Sequence, residues 1–161
     1  MSDSSPVSLA AGQSAPDFVL ESESGPVSLA SLAGKAVVLY FYPKDDTSGC
    51  TREAQDFSAL SEAFAAANTV VIGISPDSVA SHAKFRIKHH LKVHLASDEA
   101  KTVLQAYGVW AQKSMYGRTY MGVERTTVLI DAAGTIVQIW RKVKVAGHAE
   151  AVLDAAQALG A

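Results

Sequence analysis

Two apolar runs constrain the fold of this chain more than any other feature of its sequence. KAVVLYFY (residues 35–42) is rich in strand-forming residues and shows no polar alternation, and TVVIGIS (69–75) has the same character. Such runs are typical of strands that are buried on both faces of a sheet. The sequence therefore predicts a sheet with layers packed on both sides, and 161 residues are enough to bury such a core.

The segments around these runs alternate between strand-like and helix-like patterns. We predict helices over residues 48–67, with Ser48 as the N-cap, and over 78–90, 98–108 and 148–159; further strands over 17–21, 27–29 and 93–97; and a hairpin over 125–143. Strands that alternate with helices, followed by a hairpin and a last helix, indicate an α/β fold with a central mixed sheet covered on both faces.

Length and composition favour one compact domain over residues 9–161, preceded by a flexible tail over residues 1–8. The hydrophobic fraction of 48% and the charged fraction of 19% are ordinary for a soluble protein, and a net charge of −2 gives no reason to expect nucleic acid as a partner. No apolar run approaches the ~20 residues that span a bilayer. The N-terminus lacks signal-peptide features, so we expect a cytoplasmic protein.

The single cysteine, Cys50, lies in the first turn of the first long predicted helix. Unpaired N–H groups and the helix dipole at that end favour a thiolate over a thiol. Full ionisation gives a free thiol only a factor of about 30 in rate, or about 2 kcal/mol, so an enzyme also needs donors aimed at the leaving group. The hydroxyl of Thr47 is one candidate donor, and Pro43 fixes the backbone that leads into the loop.

The loop FYPKDDTSGCT resembles the peroxiredoxin active-site loop, in which a proline, a Thr or Ser and the reactive cysteine keep a fixed spacing. Pro43, Thr47 and Cys50 match those three positions. Together with SMYGRTYMGVERTTVLID and WRKVKVAGHAEAVL, the wider segment YFYPKDDTSGCTREAQDF is similar to the Q-type peroxiredoxins, also called bacterioferritin comigratory proteins. The resemblance extends over residues 9–160.

This resemblance implies a thioredoxin fold with an N-terminal β extension, and peroxide reduction at Cys50. It also implies a catalytic arginine from a distant strand, which Arg125 matches. Arg125, Thr47 and loop N–H groups would hold both peroxide oxygens while Cys50 becomes a sulfenic acid. Hydrogen peroxide and small organic hydroperoxides are the expected substrates, with no metal, haem or flavin, and a monomer or weak dimer is expected.

The sequence departs from the Q-type pattern where many members carry a resolving cysteine. Gln55 occupies one common position of that cysteine, and the other region, on the helix predicted at 78–90, contains Arg86 and no cysteine. We therefore expect a one-cysteine enzyme that is reduced by thioredoxin, glutaredoxin or a small thiol. Ser48 replaces the usual proline of TPGCT, which predicts a slightly looser loop and no change of chemistry.

Several of these residues also have ordinary structural interpretations. Cys50 could be an inert buried thiol, Thr47 a helix cap and Pro43 a strand stop. Arg125 could form a surface ion pair with Glu124 or Asp131. Glu53 could orient Arg125, or it could belong to a solvated helix face.

The segment SHAKFRIKHHLKVH (81–94) contains four of the five histidines of the chain, together with four basic residues. Adjacent His89 and His90 point apart on a helix and no acid or cysteine accompanies them, so a metal site is disfavoured. A solvated basic face, or a docking surface for an acidic reductant, remains. Aromatic and apolar residues farther along could line the substrate mouth or pack in the core or at its rim: Trp110, Tyr116 and Met121.

Two other functions compete with peroxide reduction. A redox sensor would oxidise at Cys50 and pass the signal to a partner through a mixed disulfide, and the missing resolving cysteine suits this alternative. A cysteine hydrolase is disfavoured because Arg125 stays protonated and is a poor general base.

Overall fold

The computed structural model of the chain describes residues 9–159, apart from the side chain of Met115. The predicted tail over residues 1–8 lies outside the described residues, as do residues 160 and 161. The division into a tail and one domain over 9–161 stays a prediction.

The described chain folds into nine strands, five α-helices and one short 3-10 helix at Ala30–Leu32. The strands are β1 (Val19–Ser22), β2 (Val27–Ser28), β3 (Ala36–Phe41), β4 (Thr69–Ser75), β5 (His94–Ser97), β6 (Trp110–Met115), β7 (Arg118–Val123), β8 (Thr126–Ile130) and β9 (Ile136–Trp140). The helices are α1 (Ser48–Ala59), α2 (Ser61–Ala66), α3 (Val79–His89), α4 (Thr102–Ala106) and α5 (His148–Leu159). No helix in this part of the chain combines the length and the apolar character needed to cross a bilayer.

Seven strands form one mixed sheet in the order β2-β1-β5-β4-β3-β8-β9, and β6 pairs with β7 in a separate hairpin. The central strands β3, β4 and β5 are parallel, as connections through helices require. The outer pairs β1–β5, β3–β8 and β8–β9 are antiparallel. This arrangement confirms the predicted α/β fold with a mixed central sheet.

Strand β3 lies inside the sheet between β4 and β8, and its two faces contribute to two separate apolar cores. Val37, Leu39 and Phe41 pack on one side against α4, β1 and β8, whereas Val38 and Tyr40 pack on the other side against α1, α2, α3 and α5. Every residue of β3 is buried. The unbroken apolar run in the sequence follows directly from this double coverage.

The predicted elements agree with the structure best where the pattern was strongest. Strand β4 and helix α5 have the predicted bounds. The helix predicted over 48–67 is instead two helices separated at Leu60, and its N-cap residue is Thr47 rather than Ser48. The helix predicted over 98–108 shortens to α4, because Lys101 has a positive φ and the Asp98 carboxylate accepts the N–H of Leu104 at 2.8 Å.

The sequence reading missed the β6–β7 hairpin. Its turn consists of Tyr116 and Gly117, both with positive φ (53° and 75°), which is the two-residue turn that matches strand twist. A Tyr-Gly pair is a weaker turn signal than Asn-Gly, and the flanking polar residues hide the strand pattern.

The ring of Tyr40 on β3 covers Gly73 of β4 and leaves no room for a side chain there. A Cβ atom at Gly73 would lie 2.6 Å from Cζ of Tyr40, the residue opposite it on β3. The Tyr40 ring is itself stacked on Phe57 of α1 at 4.7 Å between centroids. Gly73 therefore leaves the space that the Tyr40 ring occupies beneath the helix that carries Cys50.

We predict that Gly73→Ala lowers the free energy of unfolding by about 1–3 kcal/mol, because the Tyr40 ring must move within a packed core. Chemical denaturation followed by circular dichroism measures this change. Gly122→Ala in β7 is the matched control, because its added methyl group meets only the flexible side chains of Tyr120 and Lys113. Equal stabilities of the two variants would contradict this account of Gly73.

Candidate active site

The single cysteine lies where a buried strand turns into a helix. Strand β3 ends at Phe41, a loop over residues 42–47 follows, and Cys50 is the third residue of α1. Its side chain is only 1% exposed and packs in the core formed on the helix side of β3. As expected from the sequence, the sulfur therefore lies in the first turn of a helix, where backbone N–H groups lack intrahelical partners.

The pairing of β3 with β8 brings Arg125 to Cys50. Phe41 at the end of β3 is opposite Thr126 at the start of β8, so the residue just before β8 lies beside the Cys50 loop. Arg125 Nη2 donates to Cys50 Sγ at 3.3 Å. The contact links residues that are 75 positions apart, and the structure thereby brings together two of the four predicted site residues.

The same guanidinium group also binds a carboxylate one turn farther along α1. Arg125 Nη1 donates to Glu53 Oε1 at 2.6 Å, and Glu53 is 1% exposed. The alternative of a solvated face for Glu53 is therefore wrong. Within residues 9–159, Arg125 forms its ion pair with Glu53 and with neither Glu124 nor Asp131.

Gly49 provides the space for this arrangement. A Cβ atom at Gly49 would lie 3.3 Å from Arg125 Nη2, so a larger residue would press on the nitrogen that reaches the sulfur. Gly49 thus contributes to the site because the absence of a side chain leaves space for the Arg125 guanidinium group.

Burial changes the acid–base properties of this cluster. Desolvation raises the pKa of Glu53 to about 7, although the neighbouring Arg125 opposes the change. For Arg125, burial works against the charged form, but the charges of Glu53 and Cys50 outweigh it and the pKa is raised. Arg125 therefore remains a cation at any working pH.

Thr47 is the N-cap residue of α1, but its side chain does not cap the helix. Its hydroxyl donates instead to the carbonyl oxygen of Lys44 at 2.9 Å, and the residue is exposed. Because its proton is engaged, Thr47 faces a ligand as a hydrogen-bond acceptor rather than as the donor expected from the sequence. Pro43 is partly buried and follows the end of β3 by two residues.

A buried hydrogen-bond network that the sequence reading missed anchors the loop before Cys50. Asp45 Oδ1 accepts a hydrogen bond from Tyr42 Oη at 2.6 Å, and Asp45 Oδ2 accepts from Ser81 Oγ at 2.8 Å and lies 2.7 Å from His82 Nδ1. His82 Nε2 lies 3.1 Å from the carbonyl of Ala96. His82 is fully buried, so the predicted solvated face is wrong for this histidine; the signal was its three-residue spacing from apolar Phe85.

Asp45, Asp77 and His82 place potential ligand atoms within 4.8 Å of one another. Three of the four carboxylate oxygens already accept hydrogen bonds: both oxygens of Asp45, and Asp77 Oδ2, which accepts from the Asp45 N–H at 2.8 Å and from Ser75 Oγ at 2.7 Å. A metal ion would have to displace these bonds as well as those to Asp45. The group is therefore better explained as a structural network that ties the loop to β4 and α3.

A second, exposed contact ties the same loop to α3. Asp46 accepts from Lys88 Nζ at 2.6 Å and lies 2.8 Å from His89 Nε2. One turn earlier on α3, Arg86 donates two hydrogen bonds to Glu23, at 2.6 and 2.8 Å. Several cations of the basic segment are thus engaged with acids of this chain, which leaves less free charge for an acidic partner.

His148 starts the last helix, as expected, but it is also buried beside the active site. Its Nε2 lies 2.8 Å from Thr127 Oγ1, and its ring packs edge-on against Phe57 and Trp140. Desolvation and the charge of Arg125 lower the pKa of His148 to about 4. His148 is therefore neutral at physiological pH and adds no second cation to the site.

The residues proposed for the substrate mouth lie on the β6–β7 hairpin or at its start. Tyr116 is 96% exposed and Met121 is 50% exposed, so the core alternative is wrong for both. Trp110 packs partly buried against the core. No hydrogen bond or aromatic contact within the described part of the chain connects any of the three to Cys50.

Comparison with known proteins identifies the family. The AhpC/TSA family model matches residues 11–139. A putative peroxiredoxin bcp of Coxiella burnetii is 48% identical over 148 residues, covering 91% of this chain and 98% of that protein. Peroxiredoxin Bcp of Bacillus subtilis is 47% identical over 144 residues, covering 89% and 92%.

Solved structures agree with this assignment. The bacterioferritin comigratory protein of Xanthomonas campestris has a TM-score of 0.85 at 43% identity and covers 89% of this chain and 92% of its own. A mutant of Xylella fastidiosa PrxQ has a TM-score of 0.89 at 37% identity, with 95% and 98% covered. The chain therefore belongs to the AhpC/TSA family, within the Q-type peroxiredoxins, and is a thiol-dependent peroxidase with a thioredoxin fold.

Proposed function

We propose that this chain reduces hydroperoxides at Cys50 in a cycle that uses one cysteine and an external thiol. The observation that carries the proposal is the hydrogen bond from Arg125 Nη2 to Cys50 Sγ at 3.3 Å in a buried helix terminus. A fixed cation at this place stabilises negative charge first on the sulfur and then on the departing oxygen.

The oxidation step follows from this geometry. The Cys50 thiolate attacks one peroxide oxygen, the O–O bond breaks, and the electron pair leaves with the second oxygen. Arg125 and the free N–H groups of the first turn of α1 stabilise that oxygen as charge develops on it. The Thr47 oxygen accepts a hydrogen bond from the peroxide O–H and so orients the attacked atom.

We propose hydrogen peroxide and small organic hydroperoxides as substrates. The Xanthomonas campestris relative was studied for alkyl peroxide reduction activity. The reaction is a two-electron transfer between sulfur and oxygen, so thiol chemistry suffices without a metal, haem or flavin.

Regeneration requires a thiol from outside the chain, because Cys50 is its only cysteine. Thioredoxin, glutaredoxin or a small thiol could supply it. Since Cys50 is only 1% exposed, a protein thiol can reach the sulfur only after the first turn of α1 opens. We propose a cytoplasmic location, because a lone reactive thiol suits a reducing compartment. The resemblance to the Q-type proteins favours a monomer, with a weak dimer as the alternative.

The single buried cysteine also favours one other function, a redox sensor that passes its oxidation to a partner through a mixed disulfide. A buried sulfenic acid without a resolving cysteine would be long-lived enough for such a relay. Fast repeated turnover with thioredoxin, glutaredoxin or a small thiol would argue for the peroxidase, whereas a single turnover followed by transfer to one partner would argue for the sensor.

Arg125→Gln should slow sulfenic acid formation by about a hundredfold to a thousandfold, because the charge that stabilises the leaving oxygen is lost. Rapid mixing with one equivalent of hydrogen peroxide and a sulfenic-acid trap, read by mass spectrometry, measures this rate. Cys50→Ser gives the background. Arg118→Gln, which removes an exposed arginine from β7, should react like the wild type. An Arg125→Gln rate within threefold of the wild type would exclude the assigned role.

Excess peroxide should inactivate the enzyme readily. With no second cysteine to trap the sulfenic acid as a disulfide, Cys50 is open to a second oxidation, to sulfinic acid. Activity after successive peroxide pulses should fall in step with a mass gain of two oxygen atoms on the peptide that contains Cys50. Activity that survives large pulses in the absence of reductant would contradict this expectation.

A further inference from the structure

Two buried polar atoms beside Cys50 lack a hydrogen-bond partner within residues 9–159: Glu53 Oε2 and Tyr40 Oη. Glu53 is 1% exposed and Tyr40 is fully buried. Leaving a buried polar group unpaired costs about 1–3 kcal/mol, so such atoms in a native site call for an explanation. Glu53 already uses its other oxygen, Oε1, to bind Arg125.

The charges in this pocket do not balance if both anions are present. Cys50 and Glu53, three residues apart on one face of α1, share the single guanidinium of Arg125. A thiolate and a carboxylate would leave one uncompensated negative charge in the core, which is strongly unfavourable. One proton shared between the two acids removes that excess.

The surrounding groups do not change this balance. Asp56 lies farther along α1 and adds negative charge, and Tyr40 on β3 is held neutral because burial raises its pKa. His148 of α5 is neutral as well, because its pKa is lowered to about 4. Arg52, the residue before Glu53 on α1, is exposed and lies 3.8 Å from Asp56. Among the described residues, Arg125 is therefore the cation that offsets the charge of Glu53.

We propose that Glu53 stores the proton of Cys50: the reactive enzyme contains a Cys50 thiolate and a protonated Glu53, and Glu53 supplies the proton that the departing oxygen takes up. The inference rests on the peroxidase function proposed above. Oε1 remains bound to Arg125, so the unpaired Oε2 is the oxygen that carries the proton. The raised pKa of Glu53, about 7, agrees with a carboxyl group that gains and loses a proton near neutral pH.

The step conserves atoms and charge. Before peroxide arrives, the thiol proton passes to the carboxylate, which gives thiolate and carboxylic acid. The sulfur then bonds to the hydroxyl oxygen of the peroxide, the O–O bond breaks, and the departing alkoxide or hydroxide takes the proton of Glu53 to form alcohol or water. The products are a neutral sulfenic acid and an ionised Glu53, which Arg125 now stabilises alone. Loss of charge at Cys50 therefore drives the release of the proton.

Infrared difference spectroscopy tests the proposal directly, because a protonated carboxyl group has its own C=O band, which shifts in heavy water. At pH 7, one equivalent of hydrogen peroxide should abolish such a band as Cys50 becomes a sulfenic acid. The band should be absent in Glu53→Gln and displaced in Glu53→Asp. Asp56→Asn, which removes a carboxylate from the same helix, should keep it.

A rate measurement complements the spectrum. Glutamine keeps a carbonyl oxygen that can accept from Arg125 but cannot carry the acidic proton. The thiolate fraction of each protein is measured from its thiolate absorbance, with Cys50→Ser as the blank. At equal thiolate fraction, Glu53→Gln should form the sulfenic acid at least tenfold more slowly than the wild type.

Four results would count against these assignments. The proposal for Glu53 fails if the reduced enzyme shows no carboxyl band that Glu53→Gln removes. It also fails if peroxide leaves that band unchanged while the sulfenic acid forms. Equal rates at equal thiolate fraction would reduce Glu53 to a residue that only positions Arg125. Failure to form any sulfenic acid would instead refute the peroxidase function itself.

Discussion

The proposed chemistry of this protein depends on one guanidinium group that lies between two side chains of the same helix. Arg125 donates to Cys50 through one nitrogen and to Glu53 through the other, at 3.3 and 2.6 Å. Neither acid would be stable as an anion in the core without this cation, and the cation would not be stable there without at least one of them. The forked, planar geometry of arginine allows both contacts at once, which a lysine could not reproduce.

The fold supplies the conditions for that contact one by one. The register of β3 against β8 places Arg125 beside the end of β3, and Gly49 leaves space for its nitrogen. Two adjacent aspartates then hold the loop between β3 and α1. Asp45 is bonded inside the core to α3, and Asp46 is bonded to α3 at the surface. The proposed peroxide site is therefore formed before substrate arrives, which is how electrostatic stabilisation becomes effective.

The sequence alone predicted the parts of this structure that depend on local pattern. The continuous apolar runs gave β3 and β4, and helical periodicity gave α5. The Tyr-Gly hairpin was missed because its strands are polar and exposed, so periodicity carried little signal. The position of Arg125 is a matter of sheet register, which no local pattern encodes. Its pairing with Cys50 could be expected only from the resemblance to a known family.

The least predictable features were the roles of the polar residues in the core. A histidine in a lysine-rich segment looks solvated in sequence because such residues usually are, and for Glu53 the sequence left a solvated face and an ion pair with Arg125 both open. Glu53 and His82 are buried here because each found a partner from a distant element, Arg125 and Asp45 respectively. Tertiary pairing of this kind overrides composition.

The fate of the oxidised enzyme is connected to the same pattern of ion pairs. Arg86 occupies the region of α3 where many Q-type relatives carry their resolving cysteine, and it binds Glu23 through two hydrogen bonds. Helix α3 is thus held at a second place, because Ser81 and His82 bind Asp45. Both sets of contacts would have to break before α3 could unwind. An intramolecular disulfide formed through this helix would require a thiol in it and freedom for the helix to move. This chain has neither a second thiol nor a loosely held α3, so its structure is consistent with a sulfenic acid that waits for a reductant from outside.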